Sequence, residues 1–142
     1  MSFSIYHDFT IKCEMSNVYD GISNPEQLKH WWPLKCSGIP KEGEIYNFNF
    51  TDKYDWYAKV SNCKVNEHIY FKLTKSDEDW QPTTFGFDLR EKEDGVLVKF
   101  WHKDWPNCNA HFKHSSFCWA LLLKGLKDYL EKGIIIPFQD RS

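Results

Sequence analysis

The side chains able to do chemistry in this sequence are few and scattered. Cys108, His111, His114 and Cys118 follow one another at spacings of three, three and four residues. Two thiols and two imidazoles have the composition of a zinc site. At about 100° per residue, His111, His114 and Cys118 fall on one flank of a helix. Zinc sites usually draw ligand pairs from separate elements, and Cys108 precedes the regular helix. Ordinary helix-edge packing is therefore the expectation, and no metal is assigned. The carboxylates Glu78-Asp79 and Glu91/Glu93/Asp94 sit in turns among charged neighbours, where nothing would perturb a pKa. Nucleophile elbow, phosphate-binding glycine loop, HExxH and dinucleotide fingerprint are all missing, so neither a catalytic residue nor a cofactor is predicted.

Three further polar residues stand out through strand phase. His7 shares parity with Phe3, Ile5, Phe9 and Ile11 in an alternating strand over residues 3–13. Asn62 shares parity with Trp56, Ala58 and Val60 in residues 54–64, and His102 with Val96, Val98 and Phe100 in residues 96–102. Each is set among apolar, inward-facing neighbours. The sequence predicts that His102, and after it His7, supply the polar end of a pocket, with Asn62 beside them. The competing expectation is a buried polar group satisfied by nearby backbone. Trp31, Trp32, Trp56, Phe71, Phe85, Phe100, Trp105 and Trp119 are the candidate lining, although aromatics at strand period are commonly plain core. Seven Trp, seven Tyr and eleven Phe make 18% of the chain. So many large side chains fill volume, which predicts a small or divided cavity rather than a wide tunnel.

The elements that would position these residues are legible in order. After the first strand, Ser16 is a candidate cap for a short helix carrying Val18, Tyr19 and Ile22. A second short helix begins at Asn24-Pro25, with Gln27 placed to reach back, and Pro33 ends it. Residues 35–43 are rich in turn formers and read as loop. Alternating strands follow at 44–51, 54–64, 67–75, 83–91 and 96–102, joined by short turns and by the polar loop Ser76–Pro82, which holds Trp80. Short connections between alternating strands define an antiparallel meander. From Phe112 to Leu130, Phe112, Ser115, Ser116, Trp119, Leu122, Leu123, Leu126 and Leu130 mark one helical face. Lys113, Lys124, Lys127 and Glu131 are assigned to the opposite, watered face, and Gly133 to the stop.

These elements predict one α+β domain over 1–142: a curved six- to seven-stranded antiparallel sheet wrapped around a long C-terminal helix. At 142 residues the chain can bury a single core. A net charge of −2 with both signs interspersed argues against nucleic acid and anionic membrane as partners. The opening MSFSIYHDFTIK has neither an apolar run nor a cleavage signature, and no stretch approaches the roughly 20 apolar residues of a span. Five scattered cysteines fit a reduced, cytoplasmic protein.

The strand followed by NPEQLKHWW, the pair beginning GEIYNF, the FGFDLREKEDGVLVKFWHKDW hairpin and the ending CWALLLKGLKDYLEKG together resemble the helix-grip SRPBCC (START-like) superfamily. Within it, they are most similar to the branch named for an activator of the heat-shock chaperone ATPase. The resemblance covers nearly the whole chain and rests on fold-bearing residues: Trp31-Trp32, Trp119 and the Tyr129–Gly133 ending. Cys118 stands where relatives usually carry Gly. The resemblance implies a cavity between sheet and helix for an apolar molecule. It leaves three readings: non-enzymatic binding of a small hydrophobic or aromatic ligand, a chaperone-activator-like interaction domain, or a cavity enzyme of cyclase or hydrolase type. A homodimer is a further alternative. It would form through the sheet edge or through the face carrying Tyr6, Tyr57, Tyr70, Leu97 and Trp101.

Overall fold

The structure, a computed structural model, describes residues 2–141. In chain order the elements are β1 (Phe3–Ile11), α1 (Met15–Ser23), α2 (Pro25–Leu28), β2 (Lys35–Ser37), β3 (Ile45–Asn49), β4 (Asp55–Lys64), β5 (His68–Lys75), β6 (Thr84–Lys92), β7 (Gly95–Trp105) and α3 (Ala110–Lys132). The strands form one seven-stranded sheet in the order β1-β7-β6-β5-β4-β3-β2, and every pairing is antiparallel. The meander thus closes by bringing β1 back beside β7. The fold is the α+β helix grip, with α3 buried along Ser115, Trp119, Leu122, Leu123 and Leu126.

The two helix starts differ in how they are made. Asn24 accepts a hydrogen bond from the Glu26 amide at 3.0 Å, and Pro25 fills the first helical position, where a missing N–H costs nothing. Ser16 does not cap α1. The helix starts one residue earlier, and the Glu14 carbonyl takes up the amides of Asn17 and Val18. Gln27 does not fold back either. Its side-chain oxygen accepts from the Tyr129 hydroxyl on α3, a tertiary contact outweighing a local one. Residues 35–43 are not all loop: Lys35, Cys36 and Ser37 pair with Asn49, Phe48 and Asn47 as an edge strand. Three residues are too few for alternation to register.

Two of the sheet's three register shifts bear on the candidate residues. Val60 pairs with Phe71 but Asn62 pairs with Tyr70, so Ser61 is an extra residue on β4. Beyond it the faces exchange: Cys63, opposite Ile69, packs on the core, and Asn62 turns to solvent. On β7, Phe3 of β1 faces Trp105 while Ile5 faces His102. One of the intervening residues, Asp104, takes φ 71°, and the extra residue returns Trp105 to the interior three positions after His102.

α3 is fixed at both ends. Asn109 accepts from the Phe112 amide at 2.9 Å, and Gly133 closes the helix in the left-handed region at φ 70°. Lys127 and Glu131 do not belong to the watered face. Lys127 donates to the Thr10 carbonyl at 2.7 Å and pairs with Glu131 at 2.7 Å, while Glu131 accepts from the Lys12 amide at 2.7 Å. They tie the helix to the edge of β1, on the flank of the apolar stripe. After Gly133 the chain returns to α2, where the Arg141 guanidinium donates to the carbonyls of Lys29, Trp32 and Pro33. That clamp holds the turn carrying Trp31 and Trp32.

Candidate functional site

Most inward side chains fill the sheet's hollow solidly. Phe71, Phe85, Phe100, Trp105 and Trp119 are essentially sealed from solvent, and Trp31 is nearly so. Trp31 spends its indole N–H on the Gly21 carbonyl at 2.9 Å and packs against Phe87. A cavity of about 190 Å³, open to solvent, remains beside Trp119. Five aromatic side chains, each in contact with the next, form a connected wall along it. Trp119 meets Trp32 with centroids 4.8 Å apart, Trp32 meets Phe50 at 5.7 Å, and Phe50 meets Trp56 at 5.1 Å. Trp56 then meets Trp80 at 4.8 Å, and Trp80 meets Trp119 at 5.8 Å. α3 supplies the remaining wall through His111, His114, Ser115, Cys118 and Leu122.

Local sequence explains why these residues meet. Phe50 follows Phe48 in phase at the end of β3, and Trp56 opens β4 directly across the turn. Trp80 is the one large apolar residue of a polar loop. Asp77 folds the loop by accepting from the Trp80 amide at 2.9 Å, and burial of the indole draws the loop over the sheet. On α3, positions 111, 115, 118 and 122 are separated by three or four residues and share a flank. Their neighbours on the stripe go into the core.

His102 lies behind this wall and is not part of it. It is fully buried, with its ring against Trp80 at 4.5 Å and Trp105 at 4.9 Å. The Trp119 indole N–H donates to Nδ1 at 3.0 Å, Nε2–H donates to the Thr83 hydroxyl at 2.8 Å, and Thr83 donates to the Trp80 carbonyl at 2.6 Å. An indole can only donate, so Nδ1 must accept, and the ring is held neutral with its proton on Nε2. Burial, reinforced by the charge of His111, lowers its pKa to about 3. Both ring nitrogens are committed, which corrects the expectation that His102 presents a polar end to a ligand. His7 is half-buried on β1, where Nε2–H donates to the Ser116 carbonyl at 3.2 Å. It braces α3 away from this cavity and borders a separate space of about 180 Å³ with Phe9, Ala120 and Leu123. Asn62, turned outward by the Ser61 bulge, accepts from His68 at 2.5 Å on the outer surface. Of the predicted lining, Trp32, Trp56 and Trp119 meet at the cavity, and Trp31, Phe71, Phe85, Phe100 and Trp105 are core behind it.

The residues that sequence reasoning missed have recognisable signals. Phe50 stood in phase with Tyr46 and Phe48. A lone Trp in an otherwise polar loop needs somewhere to bury its ring. His111 donates from Nδ1 to Asp79 at 2.8 Å, and its Nε2 lies 3.7 Å from Asp77. Cys118 Sγ lies 3.3 Å from His114 Nε2, and burial pushes the thiol's pKa up, so it stays protonated. Cys108 is exposed, and among the described residues no three metal-ligating side chains converge.

A curved sheet gripping one helix, with an aromatic cup left open beside that helix, defines a helix-grip protein of the SRPBCC class. The family described as "Activator of Hsp90 ATPase homolog 1-like protein" matches residues 12–131, and the chain belongs to that family. Among solved structures it is similar to the Aha1 dimer of Colwellia psychrerythraea, at 28% identity and a TM-score of 0.84, covering 92% of this chain and 98% of that one. Protein SSP2350 of Staphylococcus saprophyticus superposes with a TM-score of 0.80 at 19% identity, over 94% of this chain and 96% of that one. CalU16 of Micromonospora echinospora does so at 0.70 and 16% identity, over 99% and 83%. These last two share the fold. No curated protein matches the chain. Among the described residues no helix is long and apolar enough to cross a membrane.

Proposed function

We propose that this protein binds a small aromatic molecule in the cup beside Trp119, without chemical turnover. The observation that carries the reading is the connected aromatic wall of Trp32, Phe50, Trp56, Trp80 and Trp119 along about 190 Å³ of space. An apolar cavity of about 150 Å³ holds benzene, and drug-sized ligands occupy about 300 Å³ or more. The cup therefore suits one or two rings and rejects a lipid. Turnover would need a poised group, and the candidates are committed: His102 to Thr83 and Trp119, His111 to Asp79, and Cys118 as a protonated thiol. Calorimetric titration with indole tests the reading. Saturable one-to-one binding is expected, and it is lost in Cys118→Trp, which fills the cup from its wall. Absence of binding to the wild type, or unchanged binding to a folded Cys118→Trp, would refute it.

A second reading is favoured by the outer face of the sheet: association with a second copy of this chain. Tyr70 and Trp101 both donate to Asp88, Trp101 at 2.9 Å, and Lys103 lies over Trp101 at 4.5 Å. A Cβ at Gly86 would lie 2.5 Å from the Tyr70 ring and 2.7 Å from Trp101, so only glycine permits this packing. Tyr6, 64% exposed, stands beside this network with Asp8 and Lys99 at the rim of a shallow hollow. Acidic and basic groups side by side suit a two-fold, self-complementary contact, and the Colwellia relative is described as a dimer. Light scattering is expected to give twice the chain mass for wild type and a single mass for Tyr6→Glu. A monomeric wild type removes this reading.

A further inference from the structure

Resting on the cavity reading, we infer that the cup selects a small organic cation, an ammonium group carried on a single ring, over a neutral molecule of the same shape. Four of its five aromatic walls are tryptophans, whose rings bind cations most strongly through the negative potential of their faces. Successive ring planes turn by 21° to 63°, so the rings present differently oriented surfaces along the cavity instead of stacking into one layer. None of the residues bordering the cavity is a lysine or arginine. A carboxylate or phosphate inside would face aromatic walls with no cation to pair, which disfavours acidic ligands.

The charge beside the cup has the same sense. The loop that delivers Trp80 carries Asp77, Glu78 and Asp79 and no basic residue. Asp79 bonds His111 at 2.8 Å and Asp77 lies 3.7 Å from it, and His111 borders the cavity. With two carboxylates against one imidazole, this edge of the cavity carries net negative charge in either state of the ring. Coulomb attraction acts there with less screening than in bulk water. The ammonium would lie among the indoles toward this edge, with the ligand's ring toward Phe50 and Leu122.

Phenyltrimethylammonium and tert-butylbenzene have nearly the same shape and differ by one permanent charge, so the pair isolates the inference. Titration of the full chain, followed by calorimetry and by the indole N–H resonances, is expected to show the cation binding about tenfold tighter. Asp77→Asn, whose amide oxygen can still accept from the Trp80 amide, combined with Asp79→Asn is expected to remove about half of that preference on a logarithmic scale, read as the ratio of cation to neutral affinity. Trp56→Leu is expected to weaken the cation at least fivefold. Equal or tighter binding of tert-butylbenzene would overturn the inference and leave the aromatic-cup reading standing. Failure of both ligands, and of indole, would overturn both. Cation binding that survives in Trp56→Leu at wild-type strength would place it on the acidic surface, which also overturns the inference.

Discussion

Two Trp–His clusters lie within one side chain of each other, and they do opposite things. In the inner one, His102, Trp105 and the inner side of Trp119 pack without a gap, and both nitrogens of the imidazole are hydrogen-bonded. In the outer one, His111 stands with Trp56, Trp80 and the other side of Trp119 around empty space, tied to two carboxylates at the surface. Residue type does not separate them. What differs is whether both imidazole nitrogens are bonded inside the core and whether the rings leave no space beside them. The buried indole N–H of Trp105 in the inner cluster and that of Trp80 in the outer one each lack a partner among the described residues, so indole satisfaction does not separate the clusters. Where both conditions hold, the side chains hold the fold together. Where they fail, surface is left for something else to cover.

Mutations on the two sides should separate accordingly. The largest effect is expected from His102→Ala, which strands the Trp119 indole N–H in a dry interior and opens a void. A loss of roughly 3 kcal/mol in urea denaturation is expected. A loss below 1 kcal/mol would mean that the inner cluster is not the rigid one. Next comes acid sensitivity. The folded protein holds His102 neutral down to about pH 3, whereas an unfolded histidine takes a proton near 6.5. His102 therefore contributes full stability above about pH 6.5, and that contribution drains away as pH falls toward 3. Stability measured from pH 7 to 4 should fall more steeply in wild type than in His102→Leu, and parallel slopes would contradict this.

The outer cluster should show the reverse balance. Trp56→Ala removes a half-buried wall, so about 1 kcal/mol of stability is expected to go while indole affinity drops roughly tenfold. The smallest stability effect belongs to His111→Ala. Its ion pairs are partly exposed and screened, so less than about 1 kcal/mol is expected, with a measurable change in cation affinity. If His111→Ala unfolds the protein while His102→Ala does not, the two clusters have been assigned the wrong way round.

Periodicity made the architecture readable. The helical stripe from Phe112 to Leu130 and six alternating strands define the grip, and the helix-breaking Gly133 lies where the pattern runs out. Features that break period escaped it. The Ser61 bulge inverted the phase of β4 and carried Asn62 outward, and the extra residue before Trp105 let β7 run further than alternation suggested. β2 was too short to register. At the site, polar residues in phase with an apolar face marked His102 correctly as buried, but burial and availability are different properties. Only the positions of Thr83 and Trp119, distant in sequence, reveal that the ring is fully bonded. Trp80 was missed for the converse reason: a loop residue carries no phase.

The seven indole N–H resonances report directly on where a ligand sits. In a two-dimensional nitrogen-edited spectrum recorded during an indole titration, the signals of Trp32, Trp56, Trp80 and Trp119 should shift together with one dissociation constant. Those of Trp101, on the outer face, and Trp31, bonded to Gly21, should stay in place. Shifts led by Trp101, or no shift at saturating indole, would contradict a binding cup beside Trp119.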